Sequence, residues 1–123
     1  MSYTSYSDDE EAIVRSGIKS IRAVLEGSDT AAKSRLLLCL DWFMDPYFGQ
    51  DISAINDELV ELLQGVIVSP DPVDVKERAI QLLMDYTWGP YPILESHLDS
   101  IDEEILPDVK YIIAEYTTEN KAK

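Results

Sequence analysis

Residues Lys33–Asp51 read KSRLLLCLDWFMDPYFGQD, and the fold turns on this stretch. Leu36, Leu37, Leu38, Cys39, Leu40, Trp42, Phe43 and Met44 leave almost no polar face. A helix that is apolar nearly all round is buried on several sides. Asp45-Pro46 ends it, because the proline ring disfavours a helical residue before it and brings no donor of its own. Tyr47, Phe48 and Gly49 follow at once. The stretch therefore predicts a central helix closed by an aromatic corner.

Working outward toward the N-terminus, Ser7 and Glu10 form a capping-box pattern. Ile13, Val14, Ile18, Ile21, Val24 and Leu25 then recur at helical spacing, and Gly27 closes a first helix. Ser28, Asp29 and Thr30 offer caps for the central helix. On its other side a third helix begins near Ser53, carries Ile55, Leu59, Val60, Leu62 and Leu63, and stops at Gly65, with VIVSP as a buried connector. Asp71-Pro72 predicts an aspartate cap and a first-turn proline for the fourth helix, whose inward set is Val75, Ala79, Ile80, Leu82, Leu83 and Tyr86. TWGPYP breaks it. A fifth helix is expected from about Pro92 to Ile101 and a sixth from Pro107, leaving residues 1–6 and 118–123 as loose tails of one domain spanning 1–123. No stretch alternates as a strand does, so the fold class is all-α, with about six helices in antiparallel pairs.

The helices repeat. Lys33, Arg35, Leu37 and Leu40 match Lys76, Arg78, Ile80 and Leu83 at a constant offset, and LDWFMDP parallels LMDYTWGP at the two helix ends. Ile55-Asn56-Asp57-Glu58-Leu59 likewise resembles Ile101-Asp102-Glu103-Glu104-Ile105. Such a period falls in the roughly 40–47 residues of helix-pair repeats. DPVDVKERAIQLL also resembles the second helix of a HEAT repeat, which implies a short HEAT-like helical stack of three pairs. The competing reading is a plain bundle in which the likeness is chance.

Charge is the unusual quantity: 24 acidic against 10 basic side chains, a net charge of −14. Leu36 to Val75 and Ala79 to Val109 contain no lysine or arginine at all. A chain so charged repels nucleic acid and anionic membrane and attracts a cationic partner, although acidity alone also serves solubility. Cys39 lies inside the apolar run and reads as a small core residue. MSYTSYSDDEE has neither the basic start nor the apolar run of a leader, and no run reaches membrane-spanning length, so a cytoplasmic setting is expected.

Little here suggests catalysis, a cofactor or a metal. His97 is the only histidine, and no glycine-rich phosphate loop, CxxC or HExxH occurs. Asp41 with Asp45, or Glu95 with Asp99, has helical spacing but lacks the further ligands that a divalent cation needs. Acids and aromatics coincide instead. Asp41, Asp45, Tyr47, Phe48 and Asp51 cluster at the end of the second helix; Asp85, Trp88, Tyr91 and Glu95 cluster after the fourth. If the repeat holds, both corners share one end of the domain. Tyrosine and tryptophan among carboxylates suit an interface with a basic protein, the rings anchoring and the charges steering. The plainer reading is that the aromatics plug turns, for Phe48 and Trp88 above all.

Leu36–Leu63, LLLCLDWFMDPYFGQDISAINDELVELL, and Glu77–Leu98, ERAIQLLMDYTWGPYPILESHL, resemble the all-helical immunity proteins of bacterial contact-dependent growth inhibition systems. The likeness runs from about Lys33 to Ile113 and lies in the acidic-aromatic corners. It implies a cytoplasmic inhibitor without catalysis of its own, which binds and blocks a partner's toxin domain, often a nuclease. Nucleases carry basic clefts, and an acidic surface suits them. Two other functions stay open at this point: a HEAT-like adaptor holding another protein, and an acidic nucleic-acid mimic with carboxylates spaced like phosphates.

Overall fold

The computed structural model describes residues 7–45 and 52–122, and side chains as far as Glu115. Among these residues there are seven α-helices and no strand: α1 (Asp8–Arg15), α2 (Ile18–Leu25), α3 (Thr30–Met44), α4 (Asn56–Val68), α5 (Val73–Tyr86), α6 (Pro92–Ser96) and α7 (Leu106–Ala122). They form two layers. α4 lies between α2 and α6 in one layer, α5 lies between α3 and α7 in the other, and α1 packs across α2 and α3. The fold is thus all-α as expected, and its packed helices are consistent with the stack read from the repeat, with α6 packed on α4 rather than on α7.

α3 is buried as its composition requires. Leu36, Leu37, Cys39, Leu40, Phe43 and Met44 all lie in the core, and only Trp42 among the large apolar residues of its last turn is half-buried, edge-on to Phe43 with centroids 5.0 Å apart. Asp29 caps its start by accepting from the Ala32 amide at 3.0 Å. Its end at Asp45 has extended backbone (ψ 116°), as the following proline demands.

Several helix boundaries differ from expectation, each for a local reason. The first helix is two. The Ser7–Glu10 capping box forms, but Gly17 takes φ 107°, a left-handed conformation that glycine reaches without strain, and the chain turns there between α1 and α2. α4 runs through Gly65 to Val68, because burying Val66 and Ile67 outweighs the ~1 kcal/mol helix penalty of one glycine. α6 stops at Ser96: the Ser96 hydroxyl donates to the Ile93 carbonyl at 3.1 Å, and Nδ1 of His97 lies 2.8 Å from the same oxygen. Side chains that occupy a helical carbonyl compete with the next turn, and a 3-10 turn at Leu98–Ser100 follows. α7 continues through residues 118–122, where no glycine or proline stops it.

The fourth helix is the most informative correction. Asp71 does not cap α5, which starts at Val73 with Pro72 as its N-cap and without a side-chain cap. Asp71 instead accepts from Lys33 Nζ at 2.7 and 2.9 Å and from the Ser69 hydroxyl at 2.8 Å. The repeat-equivalent lysine does the same one pair further on, Lys76 Nζ donating to Asp102 at 2.9 Å. Both lysines are buried, 5% and 4% exposed. Each second-layer helix thereby holds the acid that precedes the next second-layer helix. The two repeat-equivalent lysines therefore each hold an acid of the following connection, although those acids are not themselves repeat-equivalent.

Gln64 supplies the link in the other layer. It is 1% exposed on α4, and its Oε1 accepts from the amides of Ile93 and Leu94 at 3.0 and 3.3 Å. α6 has no cap of its own, so Gln64 satisfies donors that its first turn leaves over.

Candidate protein-binding site

The C-terminal turns of α3 and α5 lie side by side. The Tyr86 hydroxyl, at the end of α5, donates a short hydrogen bond to Asp41 on the last turn of α3. That bond raises the Tyr86 phenol well above its ordinary value; partial burial and the charges of Asp41, Asp45 and Asp85 add to it. One carboxylate thus binds the phenol, and the charges of Asp45 and Asp85 lie near enough to act on it. Like charges gathered this way cost stability unless something cationic offsets them.

Beyond α5 the chain runs Thr87-Trp88-Gly89-Pro90-Tyr91 into α6. Trp88 is 75% exposed, so it plugs no turn and presents its indole to solvent. Tyr91, expected as a surface anchor, points the other way. It is 4% exposed, and its hydroxyl lies 2.9 Å from Thr87 Oγ1, which itself donates to the Leu83 carbonyl at 2.7 Å. Burial, and to a lesser degree the charge of Glu115, raises its pKa, with the Thr87 bond opposing. The ring is the floor of the site rather than a contact.

A cavity of about 470 Å³ opens between these elements, walled by Met44, Leu83, Met84, Tyr91 and Ile112 and edged by Asp85, Trp88 and Glu115. Asp85 is exposed and takes a hydrogen bond from Gln81 at 2.9 Å. Glu115, one helical turn beyond Ile112 on α7, accepts from the Tyr111 hydroxyl at 3.3 Å. The structure thus gathers Asp41, Asp45, Asp85 and Trp88 at one end of the stack, with Tyr91 beneath. Glu95 is exposed on α6 and does not line the cavity. Tyr47, Phe48 and Asp51 lie outside the described residues.

Sequence reasoning misses Tyr86, which helical spacing assigns to the core, and also Glu115 and the two methionines. The methionines and Glu115 follow only from how α3, α5 and α7 converge. It also misses a cation. Arg15, remote in sequence, sits with its guanidinium carbon 5.0 Å from the Phe43 ring centroid at the end of α3.

A second cavity of about 640 Å³ lies beside the ends of α2 and α4, between Leu25, Leu62 and Ile93. Its edge mixes Arg22 and Lys33 with Glu26, Glu61 and Asp71, so it favours no sign of charge. Among the described residues no group of three or more His, Cys, Asp or Glu side chains is placed to hold a metal ion, and no helix is long and apolar enough to cross a membrane. The Cys39 thiol is buried, which pushes its pKa up to about 12, so at neutral pH it is neither thiolate nor nucleophile. No protein-family model, curated protein or solved structure matches the chain.

Proposed function

We propose that this chain is a toxin-neutralising immunity protein that docks a basic toxin domain of the nuclease class on the acidic end formed by α3 and α5. The observation that carries this reading is the Tyr86–Asp41 hydrogen bond joining the ends of α3 and α5, next to a cavity lined by Asp85 and the exposed indole of Trp88. Carboxylates on a chain of net charge −14 accelerate encounter with a cationic protein, and a solvent-facing tryptophan supplies contact area once they meet. A standard interface needs about 800 Å² from each partner. The chain exposes 7403 Å² in all, so one end of the stack suffices. On this reading the protein works in the cytoplasm by covering its partner's cleft, with no chemistry of its own.

The ion pairs Lys33–Asp71 and Lys76–Asp102 support a second reading, in which the stack serves as an adaptor for another protein. The two part company in one experiment. The chain is added to a basic nuclease toxin domain encoded beside it, and substrate cleavage is followed. Stoichiometric inhibition with protection of cells expressing the toxin supports immunity. Complex formation without inhibition supports the adaptor, and the absence of any complex rejects the immunity reading.

A further inference from the structure

We propose that the cavity beside Trp88 receives a single arginine side chain from the basic partner, and that this arginine is the contact around which the interface is organised. The inference rests on the docking reading above and names the group that the site takes.

The cavity has two zones. Its lining is mixed: Met44, Leu83, Met84 and Ile112 with the buried Tyr91 ring, beside the polar side chains of Tyr86 and Thr87. Its edge holds the Trp88 indole and the carboxylates of Asp85 and Glu115. A long basic side chain, apolar along its stem and cationic at its tip, suits apolar side chains below and carboxylates at the edge.

Among the described residues no cation neutralises the edge carboxylates: neither Asp85 nor Glu115 lies within ion-pair distance of a lysine or arginine. Each accepts one neutral hydrogen bond through one oxygen, Asp85 Oδ2 from Gln81 and Glu115 Oε1 from Tyr111, while a carboxylate has capacity for several. Arginine fits this edge better than lysine. Its planar guanidinium stacks on an indole, presents several donors to two carboxylates at once, and is more weakly hydrated than an ammonium. The chain uses the same pairing internally, where Arg15 lies over Phe43.

The probe is a capped tripeptide, acetyl-Gly-Arg-Gly-amide, titrated at low salt while the indole N–H signal of Trp88 is followed by NMR. Its neutral counterpart carries citrulline in place of arginine, and a third peptide carries lysine. Arginine should shift the Trp88 signal saturably and bind at least tenfold more tightly than citrulline and severalfold more tightly than lysine. Glu115→Gln should weaken arginine binding at least threefold with the indole still present as reporter. Trp88→Leu, read by the amide signals of Asp85 and Thr87, should abolish most of it; Trp88 is 75% exposed, so its loss leaves the core intact. Citrulline binding as well as arginine, or no saturable shift, overturns the pocket. Equal binding of lysine overturns the assignment to arginine. A basic partner that binds Trp88→Leu with unchanged affinity overturns the organising role while leaving the docking reading standing. Peptide binding with no binding of any basic protein does the reverse.

Discussion

Replacing Lys33 with methionine keeps the length of a buried stem and removes only its charge. Asp71 is then left with a side chain 9% exposed and a single neutral donor, the Ser69 hydroxyl, where it had two contacts from the ammonium. Breaking a buried pair from one side costs about 3–5 kcal/mol, because the remaining charge is neither solvated nor paired. Lys76 provides the internal control. It is as deeply buried, but its partner Asp102 is 41% exposed and returns to water when abandoned. Lys76→Met should therefore cost about 1 kcal/mol, the scale of a solvent-screened pair. In urea, where slopes of about 1–3 kcal/mol/M are usual, Lys33→Met should lower the midpoint by about 2 M and Lys76→Met by about 0.5 M. The double change Lys33→Met with Asp71→Leu should recover most of the loss, since apolar replacements of a buried pair are near neutral. Equal midpoint shifts for the two lysines, or no recovery in the double variant, would refute the claim that burial of the acid sets the value of each pair.

Three further outcomes are expected. Gln64→Leu should cost about 1–3 kcal/mol in urea denaturation, because the Ile93 and Leu94 amides lose a buried acceptor; an unchanged midpoint would show that they find another. Burial alone would raise the Glu10 carboxyl, but the Ser7 amide and hydroxyl and the Arg35 guanidinium together hold it below its ordinary value of 4.5. A depressed carboxylate contributes stability that is present above the unfolded value and lost as pH falls through the folded one. Ser7→Ala should thus destabilise at pH 7 and progressively less below about pH 4.5, and a gap independent of pH would contradict this. Cys39 should resist a thiol reagent at pH 8 in the native protein and react fully in denaturant; rapid native labelling would place it at the surface.

The apolar run of α3 and the matched offsets of Lys33 and Lys76 are enough to read an all-α stack, because burial on all sides and a constant period are both written in residue order. The boundaries are not. Gly17 breaks a helix and Gly65 does not, and the neighbouring residues make the difference. Gly17 adopts a positive φ between two amphipathic segments, whereas Val66 and Ile67 carry α4 past Gly65 into the core. Asp71 shows the same limit. Asp-Pro before a helix is a sound local signal for a cap, yet a lysine far away in sequence takes the carboxylate. At the site, the clustering of Asp41, Asp45, Asp85 and Trp88 is legible from the repeat. Tyr91 is not, because its orientation is fixed by Thr87 and the Leu83 carbonyl rather than by any pattern in TWGPYP. Glu115 joins the site only through the packing of α7, which no local motif announces.

Docking of a basic protein on the acidic end of α3 and α5, as proposed, is decided by association kinetics at low and high salt. Opposite net charges steer encounter and are screened over a Debye length of about 10 Å at 0.1 M salt. The association rate of the wild-type chain with the basic nuclease domain should therefore fall steeply as salt is raised. Asp45→Lys with Asp85→Lys should slow association at low salt and flatten its salt dependence, while Trp88→Ala should leave the on-rate nearly unchanged and raise the off-rate. An on-rate indifferent both to salt and to charge reversal at Asp45 and Asp85 would contradict the account.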